Sequence, residues 1–225
     1  MLHRSLVLLL LAACSTPEVS VRPGINATYL NPELDVAAMV ERFELESREI
    51  AASRAAIVAA VGLETGDAVA DIGAGTGLFL EPFAEAVGTQ GKLFAVDIAP
   101  PFVEHLAERA LDAGYTQVEA RLCSEDSVGL PEGSVDVAFI CDTYHHFEYP
   151  RSTSRSIHRA LRPGGELFVI DFERIEGVSR EFILGHVRAD KQTVIAELES
   201  FGFELIEEVE IEGLEENYSL RLRRN

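Results

Sequence analysis

The chain has 225 residues, of which 47% are hydrophobic, and a formal net charge of −19 at pH 7. This length and apolar content predict one globular domain with a full hydrophobic core. Because an acidic surface repels phosphate backbones, we expect neither DNA nor RNA as a partner. The three cysteines do not make a disulfide framework, and no Cys/His spacing typical of a metal site occurs, so we predict no metal ligands.

The N-terminus has the layout of a secretory signal peptide, with a short basic start and an apolar stretch too short to span a bilayer. Leu11-Ala12-Ala13-Cys14 resembles the bacterial lipobox, in which cleavage leaves the cysteine as a lipidated N-terminus. We therefore predict a signal peptide at 1–13, a tether at 14–30 and attachment to the cell envelope through Cys14, facing the periplasm. If the signal is not used, the protein is cytoplasmic.

Helical signals follow the tether. Asn31-Pro32-Glu33 has the pattern of a helix start, with asparagine at the N-cap and proline at the first helical position. Apolar residues then recur at the helical period from Val36 to Val61, and Gly62 ends the pattern. The sequence predicts two helices over 32–61.

A glycine-rich turn then follows a short apolar stretch. Asp71 precedes the turn formed by Gly73, Ala74, Gly75, Thr76 and Gly77. Such a turn lets the backbone approach a ligand closely and opens into a helix N-terminus. A dinucleotide fold requires its third glycine at position 78, which is Leu78, and the Asp71 carboxylate would repel a pyrophosphate. The motif therefore favours a cationic, phosphate-free nucleoside over a purely structural turn.

Strand and helix patterns alternate along the rest of the chain. We predict strands near 68–72, 92–96, 117–122, 135–140 and 166–171, and helices near 78–87, 101–113 and 152–161. This alternation is typical of a doubly wound parallel sheet. The end differs, with a helix at Lys191–Ser200, a strand at Phe203–Ile211, a turn at Gly213 and a last strand at Tyr218–Arg223.

Four motifs in this order resemble the class I S-adenosylmethionine (SAM) methyltransferases, in the small-molecule branch near the quinone-biosynthesis C-methyltransferases. They are the glycine-rich turn, the acid Asp97 at the end of the second strand, the strand at Ser134–Asp142, and Leu161-Arg162-Pro163-Gly164-Gly165 before the fifth strand. The resemblance implies a Rossmann-like α/β fold: a seven-stranded, mostly parallel sheet with an antiparallel C-terminal hairpin strand and helices on both faces. It also implies one domain over 31–225, with the helices at 32–61 as its cap.

The resemblance further implies a cofactor site for SAM. Asp71 would hold the methionine ammonium, Asp97 would accept hydrogen bonds from both ribose hydroxyls, and Ile98 would pack on the adenine. The glycine-rich turn, with Ala74 and Thr76, would contact the methionine part. The remaining predicted ligands are Glu125 or Asp126 for the adenine amino group, assisted by Ser124, together with Asp142 and Thr143 after the fourth strand.

Methyl transfer from a sulfonium is an in-line displacement that needs alignment and desolvation more than reactive side chains. The resemblance places Tyr144, His145 and His146 toward the small-molecule acceptor. Either histidine is a candidate base, although a histidine in such a place is more often structural.

Two further regions are expected to form the acceptor pocket. Tyr29 and Phe43 would line it from the N-terminal helices, with core packing as the alternative role of Phe43. The connection from Phe172 to Asp190 is either part of a lid or a solvated loop. Its candidate lid residues are Arg174, Phe182, His186 and Arg188.

Two other functions compete with methyl transfer. An envelope-anchored, non-catalytic ligand-binding protein on a methyltransferase scaffold would fit the lipobox. A nicotinamide-dependent oxidoreductase is excluded by Leu78 and by the lack of a suitably placed Tyr-x-x-x-Lys pair.

Overall fold

The strand Ala68–Ile72 (β1) is buried at every position, as expected for the centre of a sheet that is covered on both faces. The computed structural model describes residues 17–46 and 48–225. β1 pairs in parallel with Lys92–Asp97 (β2) on one side and Val135–Cys141 (β4) on the other.

Seven strands form the sheet, in the order β3-β2-β1-β4-β5-β7-β6. The remaining strands are Val118–Leu122 (β3), Leu161–Phe172 (β5), Phe203–Glu208 (β6) and Asn217–Arg224 (β7). Strands β1 to β5 run parallel, whereas β7 is antiparallel to both β5 and β6. The Rossmann-like sheet with an antiparallel C-terminal hairpin is therefore confirmed.

Helices cover both faces of this sheet. They are Val36–Glu46 (α1), Arg48–Ala52 (α2), Arg54–Val61 (α3), Leu80–Val87 (α4), Pro100–Asp112 (α5), Pro150–Ala160 (α6), Glu181–His186 (α7) and Lys191–Ser200 (α8). Apolar residues of α2 to α5 join the core on one face, and those of α6 and α8 join the core on the other. Within the described residues, no helix is both long and apolar enough to cross a membrane.

Three helix starts differ by at least two residues from their predicted positions, and the region predicted as two helices over 32–61 contains three, α1 to α3. α1 begins at Val36 rather than at residue 32, because the Asp35 carboxylate supplies the capping bond by accepting from the Ala38 N–H at 3.1 Å. The Asn31 side chain instead accepts from the Glu33 N–H at 3.0 Å and makes a local turn. α4 begins at Leu80, two residues later than predicted. α6 begins at Pro150, two residues earlier than predicted.

Two strand ends also differ. The Pro163–Gly165 turn lies inside β5, because Val135 pairs with Leu161 whereas Val137 pairs with Glu166. The intervening residues therefore bulge out of the strand. β6 ends at Glu208 rather than at residue 211.

The described part of the predicted tether, residues 17–30, is docked on the domain. The carboxylate of buried Glu148 accepts hydrogen bonds from Ser20 Oγ at 2.7 Å and from the Gly24 N–H at 3.0 Å. The Val21 N–H donates to the Glu148 carbonyl at 2.9 Å. Composition alone indicated a free linker, and this segment is instead held by a residue more than one hundred positions away.

The predicted signal peptide at 1–13 and the predicted lipidation site Cys14 lie outside the described residues.

Candidate active site

A cavity of about 430 Å³ opens at the carboxyl ends of the central strands. One wall is polar and comes from the loops after β1, β2 and β4. The rest of the lining is rich in aromatic and imidazole rings, namely Tyr29, Phe43, Phe102, His145, His146, Phe172, Phe182 and His186. Ligands bind at this end of the sheet in open α/β folds, because loops from several strands converge there.

The glycine-rich turn is fastened to β2 by its own backbone. The N–H groups of Gly73 and Ala74 donate to the Val96 carbonyl at 2.8 and 3.1 Å, and the Gly75 N–H donates to the Asp97 carboxylate at 2.8 Å. The turn is therefore a rigid floor of the cavity. Several of its N–H groups donate to acceptors within the protein, so fewer of them are available to a ligand.

Gly73 has a positive φ of 75°, and a Cβ there would lie 2.3 Å from Thr143 Cγ2. The absence of a side chain at Gly73 thus lets the loop after β4 approach the turn. Gly77 has a φ of 84° and packs against α5 in the same way, since a Cβ there would lie 2.8 Å from Leu106 Cδ2. Thr76 and Gly77 also receive hydrogen bonds from the Arg109 guanidinium through their carbonyl groups.

Asp97 lies at the end of β2, buried beside the turn. Its two carboxylate oxygens accept from the N–H groups of Gly75 and Ala99, both at 2.8 Å. Burial raises the pKa of Asp97 to about 6, although these backbone hydrogen bonds favour the charged form. Each oxygen keeps a further lone pair, so the residue can position the turn and still accept from a ligand hydroxyl.

Asp71 ends β1 and also lines the cavity. Burial, and then the negative charge of Asp97, raises its pKa to about 7. A buried carboxyl of this kind gains most from a cationic partner, because a positive charge offsets the cost of ionising it.

Asp142 and Thr143 follow β4 and line the cavity next to the glycine-rich turn. Asp142 adopts a φ of 47°, which is uncommon for a residue other than glycine, and its carboxylate accepts from the Asn217 side chain. Thr143 Oγ1 donates to the Cys141 carbonyl at 2.9 Å. The Asn217 side chain on β7 therefore helps to hold the chain reversal after β4. This reversal brings Asp142 and Thr143 to the polar wall.

Three imidazoles lie close together in the cavity lining. His145 Nδ1 lies 2.6 Å from Asp171 Oδ1, and the His145 N–H donates to the other oxygen of that carboxylate at 2.9 Å. His146 Nε2 lies 3.3 Å from His186 Nε2 of α7. Burial lowers the pKa of His146 to about 2, assisted by the neighbouring imidazoles, so its ring is neutral.

Tyr144 is the first site residue that the structure corrects. We predicted it at the acceptor, but it is buried on the opposite side of the same 3₁₀ turn (Tyr144–His146), where its hydroxyl donates to Glu197 of α8 at 2.9 Å. The turn directs successive side chains to different sides, so His145 and His146 reach the cavity and Tyr144 does not. Tyr144 is therefore a core residue.

The loop Ser124–Asp126 is the second correction. Its residues are not among those that line the cavity within the described chain. Ser124 Oγ donates to the Asp126 carboxylate at 2.7 Å, and the Glu125 carbonyl accepts from Thr153 Oγ1 at 3.1 Å. Ile98, by contrast, lines the cavity next to Asp97, as predicted for a residue that packs on adenine.

The connection after β5 is not a solvated loop. It contains α7, whose Phe182 and His186 line the cavity, as a lid would require. Arg188 instead pairs with Glu197 at 2.6 Å, and Arg174 pairs with an exposed glutamate, Glu176.

Sequence reasoning missed Asp171, Phe102 and Phe172 as parts of the site. Asp171 could have been found, because it ends an apolar strand in the same way as Asp71 and Asp97 do. The two phenylalanines carry no such signal, since an aromatic residue after a strand or in a helix is usually core.

Comparisons with known proteins agree with this geometry. Residues 70–169 match a family model described as a methyltransferase domain. The chain is 27% identical over 122 residues to the ubiquinone/menaquinone biosynthesis C-methyltransferase UbiE of Burkholderia mallei, and this match covers 54% of the chain and 50% of that relative. The match thus spans about half the length of the curated relative.

Solved structures share the fold. A SAM-dependent methyltransferase from Aquifex aeolicus superposes with a TM-score of 0.74 at 22% identity, over 86% of this chain and all of that one. The [4+2]-cyclase SpnF superposes with a TM-score of 0.65 at 18% identity, over 77% of this chain and 80% of that one. Likeness at this identity establishes the fold, and the second example shows that one fold carries different activities.

Proposed function

We propose that this protein transfers a methyl group from SAM to a small apolar or aromatic acceptor by in-line displacement, and the match of residues 70–169 to a methyltransferase domain supports this proposal. One observation carries the proposal. A single cavity joins the acidic, glycine-floored wall to a wall of aromatic rings and imidazoles. Donor and acceptor could therefore lie end to end in it, as an in-line reaction requires.

The polar wall fits SAM. Asp71 is placed to pair with the methionine ammonium, and Asp97 to accept from the ribose hydroxyls while it holds the glycine-rich turn. Gly75 leaves room above the turn, since a Cβ there would meet nothing closer than the Phe43 ring at 3.4 Å. When bound, SAM supplies a methyl group that is already activated by its sulfonium.

The other wall fits the acceptor. The rings of Tyr29, Phe43 and Phe102 lie with their centroids 6.0 to 6.3 Å apart and offer an apolar, water-excluding surface. The relative UbiE is named for methylation in quinone biosynthesis, which agrees with an aromatic acceptor. His145 remains the candidate for receiving a proton where the acceptor must lose one, whereas the lowered pKa of His146 makes it a poor base.

The first test is thermal unfolding of the full chain with and without SAM or S-adenosylhomocysteine. A ligand present at about one hundred times its Kd should stabilise the protein by about 2.7 kcal/mol, a clear shift in Tm. We expect the isosteric Asp71→Asn, which should bind SAM more weakly, to show a smaller shift and Asp97→Ala to lose the shift. The control Asp112→Ala, which changes an exposed aspartate at the end of α5, should keep it.

Turnover decides between an enzyme and a binding protein. The full chain is incubated with SAM and a panel of phenols, hydroquinones and thiols, and S-adenosylhomocysteine formation is measured. Acceptor-dependent product that Asp71→Asn abolishes supports the enzyme. A Tm shift without product from any acceptor would favour the non-catalytic alternative, and no shift with either ligand would refute the cofactor site.

We also propose that the protein is a lipoprotein of the cell envelope, anchored through Cys14. The lipobox at Leu11–Cys14 supports this proposal. Metabolic labelling with a radioactive fatty acid in a bacterial host should label the full chain and not Cys14→Ser. An unlabelled, uncleaved wild-type chain in the cytoplasm would contradict the proposal.

A further inference from the structure

Three histidines from two separate elements converge at one end of the cavity. His145 and His146 belong to the 3₁₀ turn after β4, and His186 is the last residue of α7. One ring nitrogen from each lies within 4.8 Å of the others. Since forty residues separate His146 from His186, the cluster forms only in the folded chain, and no short motif in the sequence indicates it.

The spacing suits a metal ion. Imidazole nitrogens bind Zn²⁺ at about 2.0–2.1 Å, so two of them in a tetrahedral site are about 3.3–3.4 Å apart. His146 Nε2 and His186 Nε2 are already 3.3 Å apart. The His145 nitrogen lies within 4.8 Å of both, which exceeds the tetrahedral spacing by at most about 1.5 Å.

Neighbouring groups hold the imidazole rings in orientations that suit metal binding. His145 Nδ1 is engaged by Asp171 Oδ1 at 2.6 Å, which leaves Nε2 as the nitrogen available to a ligand. A carboxylate on the outer nitrogen is the usual support of a metal-binding histidine. His146 Nδ1 is buried without a hydrogen-bond partner, so the polar network of this cluster is incomplete as it stands.

A hydrogen-bonded imidazole pair is the competing explanation of the short contact between His146 and His186. The guanidinium of Arg22, which donates to the Gly185 carbonyl at 2.8 Å, adds positive charge nearby and opposes a cation. The carboxylates of Asp171 and Asp142 act on His145 in the opposite direction and offset it. In that explanation His145 contributes ring packing alone, with its ring centroid 4.4 Å from that of His146 and 5.0 Å from that of His186.

We propose that His145, His146 and His186 bind a divalent transition metal of the zinc type, with an open coordination position toward the cavity. Three imidazoles with a fourth position free are a donor set typical of catalytic rather than structural zinc. This proposal replaces our expectation, based on sequence spacing, that the chain has no metal ligands.

The open position also defines the acceptor class, and this step rests on the proposed methyl transfer. A hydroxyl or thiol bound to a divalent metal has a strongly lowered pKa and loses its proton to solvent near neutral pH. The site would therefore select acceptors with an oxygen or sulfur able to bind a metal, and the ion would replace a histidine base.

Zinc binding by the untagged full chain tests the proposal. Zn²⁺ alone is titrated in competition with a chromogenic chelator, and we expect one tight ion per chain. His186→Ala and His146→Ala should each weaken binding at least about tenfold, because even the loss of an outer group that orients a ligand costs about 10–100-fold. His105→Ala and His158→Ala, outside the cluster, should bind as the wild type does.

Cobalt gives an independent signature. Co²⁺ in place of Zn²⁺ should produce the intense visible absorption of a four-coordinate site in the wild type and in His105→Ala, and lose it in His186→Ala. The SAM-dependent Tm shift of His186→Ala and of His186→Gln shows that these variants are folded. Absence of tight Zn²⁺ binding, or binding unchanged in the cluster variants, overturns the proposal. Zinc binding by a chain that SAM does not stabilise would refute the proposed function and leave the metal site standing.

Discussion

Asp71 and Asp97 end neighbouring parallel strands, so their carboxyl groups are brought together at the carboxyl edge of the sheet. Their pKa values are raised for related reasons. Burial acts on both, and the charge of Asp97 adds to the effect on Asp71. Cys141 on β4 also faces Asp71, and since burial raises its thiol pKa well above the ordinary value, it adds no charge.

This pair predicts a pH dependence of SAM affinity. With the pKa of Asp71 at about 7, the free protein holds a neutral carboxyl below that pH, whereas the bound ammonium requires the carboxylate. Affinity should therefore fall about tenfold per pH unit below 7. Above about pH 8 it should fall again as the ligand amine loses its proton.

Calorimetric titration from about pH 5.5 to 9 measures this profile. Asp71→Asn should bind SAM more weakly, and it should lose the fall in affinity below pH 7 (the acid limb of the profile), because its amide does not titrate. An acid limb that persists in Asp71→Asn would assign the titration to another group and contradict the pairing of Asp71 with the ammonium.

The same pKa values set a stability trend with the opposite sign. A carboxyl whose pKa is raised on folding binds more protons in the native state than in the unfolded chain. Its contribution to the free energy of unfolding is therefore fully present below the unfolded pKa of about 4 and is lost as the pH rises through the folded pKa values of about 6 and 7. A bound cofactor would restore this stability at neutral pH, because its ammonium would pair with the charged carboxylate of Asp71.

At the scale of elements, the packing of the β1 loop on the β4 loop depends on Gly73. Its φ of 75° is unfavourable for other residues, and a Cβ would lie 2.3 Å from Thr143. Gly114 after α5 offers a matched control, because its φ is 74° and nothing lies within 4 Å of a Cβ there.

We predict that Gly73→Ala costs more stability than Gly114→Ala. The control should lose about 1–2 kcal/mol from backbone strain alone. Gly73→Ala should lose about 1–3 kcal/mol more from the collision with Thr143, and it should also weaken SAM binding. Urea unfolding measures both losses. Equal losses would show that the two loops separate easily and that their contact is not a constraint.

The elements also show what a single sequence can predict. Four of the five parallel strands contain an apolar run, whereas apolar and charged residues alternate in β3. The glycine-rich turn was found because positive φ values require glycine. The docking of residues 17–30 was missed, since it depends on Glu148, far away along the chain. The side of the turn on which Tyr144 lies was missed because one 3₁₀ turn is too short for a periodic pattern.

At the scale of the whole molecule, about half of the site could be predicted from the sequence. Its polar wall comes from strand ends, where order along the chain fixes neighbours in space. The aromatic part of the lining combines the N-terminal segment, α5 and α7 with the turn after β4, and no local pattern brings these together. The histidine cluster belongs to that second half, and its third member, His186, was predicted only as part of a lid.

The net charge of −19 predicts that salt stabilises the folded chain. Thirty-eight acidic residues face nineteen lysines and arginines, and the basic last strand is already neutralised, with Arg221 paired to Glu166 and Glu207. Self-repulsion among the remaining acids opposes compaction and is screened as the Debye length falls from about 30 Å at 0.01 M salt to about 8 Å at 0.15 M.

Tm should therefore rise by a few degrees over this range at pH 7.5. Near the isoelectric point of about 4.6 the same salt change should have little effect, because the net repulsion is gone. A falling Tm at pH 7.5 would mean that screening of the ion pairs outweighs relief of the repulsion.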